Sequence, residues 1–363
     1  MISIDLSNKL KVVSLMFILL VIYLHSYNIK VNYSEESIIV HDSFNYLFQG
    51  LFSQGITRIA VPYFFLISGY LYYYTLNPSI SGFIEKYKSR FISLLIPYFL
   101  WFLLGFSFFG ILKELSLFDS FVSTTRQQYW SIESFFTQLF YGNIQYHFWF
   151  LRHLIVYVIL SPVIYLLLRY LKEVFVIGLL IFWLCHSTKY AFIHSEGLFF
   201  YSLGGFLAVH RKQYRDLLNV VLIKCRKYSE LIVLVWIFLI AIKISLCYSY
   251  QIVFPTVEFE LLSQSAILMG MVGIWVHFEK VPLFRHGIVL HIANYTFFIY
   301  ALHEPLLLIT KKLSLFLLPH VPITFTLVYI MAPLIVIVVV MTLAKILERW
   351  LTYIYSLLIG GRV

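Results

Sequence analysis

The sequence predicts an all-α integral membrane protein, with about ten transmembrane helices and both ends in the cytoplasm. Three observations carry this expectation. Of 363 residues, 61% are hydrophobic and only 12% are charged, against roughly 25% charged in soluble domains. Mean hydropathy is +0.86. The apolar residues form continuous runs close to the roughly 20 residues that a helix needs to cross the hydrocarbon core. In lipid, backbone amides and carbonyls find no water, so helices satisfy them internally. A membrane β-barrel would instead alternate apolar and polar residues over strands of about ten residues.

Taken in chain order, the expected spans are 10–28, 57–76, 91–112, 149–168, 173–188, 197–210, 230–249, 261–278, 290–310 and 323–346. The first contains the apolar run Val12 to Leu24, followed by His25-Ser26-Tyr27-Asn28 and not by a small-residue cleavage site. It reads as a retained helix and not as a signal peptide. The fifth and sixth spans are the shortest. No linker, composition shift or internal repeat divides the chain, so residues 1–363 read as a single integral membrane domain. Two outer segments are long, 29–56 and 113–148. The second mixes Trp130, Phe135, Phe136, Leu139, Phe140, Tyr146 and Phe148 with polar residues. It fits either an amphipathic element in the membrane interface or simple loop packing.

Orientation follows from Lys and Arg, which collect on the cytoplasmic side. With the N-terminus inside, 18 of the 27 basic residues fall inside, the densest stretch being Arg211 to Lys227. The outer loops then hold Glu35, Glu36, Asp42, Asp119, Glu133, Glu196, Glu258 and Glu260. This accounts for the net charge of +10 without a nucleic-acid partner. Cys185, Cys225 and Cys247 show neither metal-ligand spacing nor a disulfide framework, and no metal is expected. The sequence contains no GxxxxGK[ST], GxSxG or HExxH pattern. Those absences speak against ATP-driven transport by this chain, serine hydrolysis and zinc proteolysis.

Ionisable groups inside a membrane are costly and therefore functional candidates. The topology brings several to the outer half: His25 on the first helix, Arg58 on the second, His147, Arg152 and His153 at the start of the fourth, His303 and Glu304 on the ninth. Histidine is the usual general base near neutrality. A carboxylate fixes its tautomer, and Arg stabilises an oxyanion. Each residue alone also fits an interface role, with Arg58 and Arg152 snorkelling outward; their convergence suggests acyl transfer. On the inner side, Lys86 and Arg90 are four apart and share a helix face with Lys88 nearby. That face suits either the phosphates of a nucleotide-bearing donor or ordinary membrane anchoring.

The stretch Gly55 to Leu71, with Pro62-Tyr63-Phe64-Phe65-Leu66-Ile67-Ser68-Gly69-Tyr70 at its centre, resembles the second helix of the acyltransferase-3 family of bacterial membrane O-acyltransferases. Four further pieces resemble that family in the same order. They are His25 in Tyr-Leu-His-Ser, Lys88-Ser-Arg90 through Pro97-Tyr98, Phe148-Trp149-Phe150-Leu151, and Tyr300-Ala-Leu-His303-Glu304-Pro305-Leu306. The resemblance implies an enzyme moving an acyl group, usually acetyl, from cytoplasmic acyl-CoA to a carbohydrate hydroxyl of a cell-surface or exported glycan. It implies a bacterial cytoplasmic membrane and a catalytic role for His25. Lys86, Lys88 and Arg90 then become candidates for holding acetyl-CoA. Many members carry Arg eleven residues before the first-helix histidine; here Ser14 stands there. Lys11 lies about one turn away but offers a point charge and not a planar fork.

The expected site is therefore His25 as base, with Glu304, His303 and Arg58 as catalytic partners. Arg152, His153, Trp149 and Ser68 are the candidates for the acceptor, and Lys86, Lys88, Arg90 and Lys11 for the donor. The rival expectation is a transporter or flippase for a glycan or lipid-linked intermediate, which paired helix breaks in two halves would favour.

Overall fold

A computed structural model describes residues 4–32, 37–39, 42–114, 129–142, 145–185, 193–250, 257–278 and 287–362. The expectations for Glu35, Glu36, Asp119, Lys280, Arg285 and the end of the fifth span fall outside these residues. In order, the helices are α1 (Ile4–Ser26), α2 (Ser43–Gln49), α3 (Ala60–Tyr74), α4 (Ile80–Arg90), α5 (Ile96–Glu114), α6 (Ile132–Tyr141), α7 (Trp149–Ile159) and α8 (Ser161–Tyr170). They continue with α9 (Lys172–Cys185), α10 (Ser195–Val209), α11 (Arg215–Lys227), α12 (Ser229–Tyr250), α13 (Val257–Phe278), α14 (Gly287–Ala293), α15 (Thr296–Leu317), α16 (Pro322–Trp350) and α17 (Thr352–Ile359). A small antiparallel hairpin pairs Lys30–Asn32 with Ser37–Ile39.

Every one of the ten expected spans falls on helix. Among the described residues, six helical runs are long and apolar enough to cross a membrane, or eight if each of two broken pairs is one span. The protein is thus an all-α membrane protein. The two short elements, α9 with 14 residues and α10 with 15, fall below the roughly 20 residues of a full crossing. The fourth span is one of the broken pairs, bending by 64° between α7 and α8. Pro162 lies at the start of α8, where its missing N–H and fixed φ suit a new helix but not a continued one. The ninth is the other: it breaks after Ala293, and α15 then runs on to Leu317, beyond the expected end at 310.

Two outer segments and one inner segment carry helix between the expected spans. Much of 29–56 is helix: Ser43 to Tyr74 forms one helical run, through a π turn at Gly50–Gly55 and a tight turn at Ile56–Ile59. The basic segment before the third span is helix as well, since α4 joins α5 through a π turn at Phe91–Leu95. In the 113–148 segment, Ser131 caps α6 by accepting from the Ser134 amide. Phe135 and Leu139 of α6 pack on Phe102, Phe106, Phe109 and Tyr129, while Ile132, Phe136 and Phe140 stay exposed.

The chain forms two compact units. The first comprises the chain up to Leu24, Gly50–Tyr87 and Val156–Asn294. Its centre is the crossing of α3 and α10. A Cβ on Gly69 would lie 2.0 Å from the Tyr201 carbonyl oxygen, and one on Gly204 would lie 2.0 Å from that of Leu66. Small residues let membrane helices approach closely, so Gly69 of the second-helix pattern has a packing role. Tyr72 bonds Ser161 at 2.7 Å nearby.

The second unit comprises His25–Gln49, Lys88–Ile155 and Tyr295–Val363. Its long helices are α5, α15 and α16, with Trp101 of α5 donating to the Leu358 carbonyl and packing edge-on against Phe298. Two prolines lie inside its helices, Pro305 in α15 and Pro333 in α16. Each removes the amide that would have bonded the carbonyl four residues earlier, freeing the oxygens of Ala301 and Tyr329.

Candidate active site

The freed carbonyls are where the candidate site is anchored. His147 places Nε2 3.3 Å from the Ala301 oxygen. Ser26, the residue after His25, donates its hydroxyl to the Tyr329 oxygen at 2.8 Å. Asn28 adds bonds to the Phe325 carbonyl and to Gln49. The last carbonyls of a helix lack intrahelical partners and favour a cation; Lys311 of α15 supplies one, donating Nζ to the His25 carbonyl and reaching that of Tyr27. The backbone around His25 is therefore held by α15 and α16 together.

From this fixed end of α1, the His25 ring enters a chain of hydrogen bonds. Its Nδ1 lies 2.8 Å from the Tyr146 hydroxyl. The same hydroxyl donates to Glu304 Oε1 at 2.9 Å. Lys311 lies within electrostatic range of Glu304. In the bond from Tyr146, Glu304 Oε1 is the acceptor. Tyr146 has one proton and gives it to Glu304, so its oxygen accepts from His25 Nδ1–H. The lone pair of His25 then sits on Nε2, the arrangement a general base needs.

His303 and His147 extend the cluster. The His303 ring centroid is 5.5 Å from that of His25 and 5.4 Å from that of His147. His303 Nδ1 faces the Tyr300 oxygen at 2.7 Å and that of Ile299 at 3.2 Å. Carbonyls only accept, so Nδ1 carries the proton. By the same logic His147 is protonated at Nε2. Both rings are buried, yet among the described residues His303 Nε2 and His147 Nδ1 have no hydrogen-bond partner. A buried polar atom left unpaired costs about 1–3 kcal/mol; these two acceptors, with Arg152 Nε, are the unpaired atoms around this cluster.

The other expected residues are distributed as follows. Arg152 donates to the Tyr98 hydroxyl, lies against Gly142 and is within electrostatic range of His147. His153, also in the second unit, turns Nδ1 back to the Trp149 carbonyl at 2.7 Å within its own helix. Arg58 belongs to the first unit, exposed, and within electrostatic range of Lys243. Ser68 also belongs to the first unit, in α3 beside Gly69. Lys11 donates to Asn294 at 3.1 Å there. Lys86 donates to Thr75 at 2.5 Å and lies 5.6 Å over the Tyr72 ring. Lys88 is exposed, and Arg90 is half-buried within electrostatic range of Arg362.

Sequence reasoning missed Tyr146 and Lys311. Tyr146 is one of 28 tyrosines, and only its position beside His147 marks it. Lys311 had a usable signal, because Lys311-Lys312 interrupts an apolar run where lysine is costly. Ending the ninth span at residue 310 placed it outside.

Apolar helices carrying a linked imidazole, phenol and carboxylate make this an integral membrane protein equipped for acid–base chemistry. The profile of the acyltransferase-3 family, described as an acyltransferase domain, matches residues 10–344. The chain belongs to that family and is a membrane acyltransferase. No curated protein and no solved structure matches it.

Proposed function

We propose that the protein is an O-acyltransferase that moves an acetyl group from acetyl-CoA to a carbohydrate hydroxyl of a cell-surface or exported glycan. The observation that carries this reading is the His25–Tyr146–Glu304 chain, which leaves the His25 lone pair on Nε2. His25 Nε2 takes the proton of the acceptor hydroxyl as its oxygen attacks the thioester carbonyl. The carbon–sulfur bond then breaks, and the imidazolium returns the proton to the leaving thiolate. Tyr146 and Glu304 hold the tautomer and stabilise the imidazolium, and Lys311 fixes the backbone that carries His25. Arg152 and Arg58 remain the candidates for the oxyanion or for an acidic sugar. Trp149, His153 and Ser68 are the other candidates for acceptor contacts.

On this reading the donor phosphates dock on the cytoplasmic side along α4, at Lys88 and Arg90, with Lys86 and Lys11 contributing. The chain crosses a bacterial inner membrane ten times, N-in and C-in, as one acyltransferase domain. The experiment is transfer of labelled acetyl from acetyl-CoA to glycan acceptors by purified protein, comparing wild type with His25→Ala. Loss of a general base costs about 10²–10⁴-fold in rate; transfer that survives the substitution unchanged removes His25 from its role.

A further inference from the structure

The hydrogen-bond chain from His25 to Glu304 leaves one feature of the second unit unused. Two buried imidazoles beside it each present an unpartnered acceptor nitrogen. In His303 the proton is committed to Nδ1 by the Tyr300 and Ile299 carbonyls. The lone pair of Nε2 therefore points away from its own helix backbone, in a side chain that is 0% exposed. In His147 the carbonyl freed by Pro305 holds the proton on Nε2 and leaves Nδ1 as the acceptor. As neutral imidazoles, neither ring can turn over to become a donor without giving up its bond to a main-chain oxygen, which would then be the unpaired group. The pair is thus set to receive hydrogen bonds and not to give them.

That commitment selects a ligand. Phosphates and carboxylates have only acceptors to offer and meet two lone pairs. A hydroxyl group meets each lone pair as a donor. The His303 ring is adjacent to the His25 ring, 5.5 Å between centroids and tilted by 35°, close enough for two hydroxyls of one molecule to bond both rings. We propose that His303 Nε2 accepts a hydrogen bond from a second, non-reacting hydroxyl of the acceptor, with His147 as the next acceptor along. The groups of the acceptor that face these two nitrogens are then hydroxyls, and acceptors lacking the neighbouring hydroxyl are rejected. This inference rests on the acyl-transfer reading only for the identity of the reacting hydroxyl.

The test separates the two nitrogens of His303. His303→Asn keeps a donor at the δ position for the Tyr300 carbonyl and removes the acceptor at ε. His303→Gln keeps an acceptor near ε. Purified full-length protein in lipid nanodiscs is titrated with methyl glycosides and their monodeoxy analogues, without donor, by calorimetry. Acetyl transfer to the same compounds is then measured with labelled acetyl-CoA. His303→Asn is expected to weaken glycoside binding and raise the acceptor KM roughly tenfold, the loss of one hydrogen bond that leaves a buried group unpaired. The KM for acetyl-CoA should not follow. One deoxy analogue should bind wild type as weakly as the parent binds His303→Asn, and should bind that variant no worse. His303→Gln should recover most of the binding. Undiminished glycoside binding by His303→Asn, with deoxy discrimination intact, would overturn the proposal and leave Nε2 to a water molecule. Glycoside binding that depends on His303 without acetyl transfer supports this site and sinks the acyl-transfer reading instead.

Discussion

Tyr146 stands between the two residues that the sequence brings forward for chemistry. His25 and Glu304 do not bond each other; one phenol accepts from the first and donates to the second. The interposed group sets the tautomer, so its removal should cost more than a packing change. Tyr146→Phe keeps the ring and deletes the oxygen. We expect kcat for acetyl transfer to fall about 100-fold, within the usual range for an acid–base partner. Tyr146→Phe combined with Glu304→Gln should be little worse than either alone, as for residues acting as a unit. Additive losses would show that the two act separately. At this scale the sequence reveals the rarer types, His25, His147, His303 and Glu304, because ionisable groups in apolar runs are conspicuous. It does not reveal Tyr146, because a tyrosine at a membrane interface is ordinary.

At the scale of the helix, proline does unusual service. Pro305 and Pro333 each free one carbonyl, and each oxygen is bonded by a side chain that holds the site, His147 in one case and Ser26 in the other. Pro305→Ala returns an amide that competes for the Ala301 oxygen. The protein should still fold, since the helix gains a bond. Acetyl transfer should fall roughly tenfold or more, because small misplacements of a catalytic group are expensive. Full activity in a folded Pro305→Ala protein, judged by circular dichroism and gel filtration, would show that His147 is held by something else. Gly69 gives a second expectation in the first unit. Gly69→Ala drives a Cβ into the Tyr201 carbonyl and should lower stability by about 1–3 kcal/mol, the range for overpacking. Gly178→Ala, where an added Cβ meets nothing beyond its own helix within 4 Å among the described residues, should be neutral or stabilising by about 0.5–1 kcal/mol. Thermal unfolding in detergent compares the two.

For the whole molecule, the number of crossings sets which residues face which side of the membrane. Among the described residues, six runs qualify outright, two pairs are broken, and α9 and α10 are short. Ten crossings with N-in and C-in orientation predict that a cysteine replacing Lys212, after removal of the native cysteines, reacts with an impermeant maleimide only from the cytoplasmic side. One replacing Glu196 should react only from the opposite side. If both react from one side, α10 does not cross, and the outer placement assigned to His303 and Glu304 of α15 must be revised.

The lipid environment, the helices and the family were all legible in the chain, because transfer from water to hydrocarbon sums residue by residue along a run and needs no knowledge of neighbours. The rule that proline frees the carbonyl four residues back is equally local, so Ala301 and Tyr329 were visible in principle as unsatisfied. Which side chain would meet each oxygen was not. That depends on segments far apart in sequence, Ser26 with Tyr329 and Tyr146 with Glu304. A hydrogen bond has a range of about 3 Å, so packing alone decided that a tyrosine joins His25 to Glu304, and that two more histidines beside them keep acceptor nitrogens without a partner among the described residues.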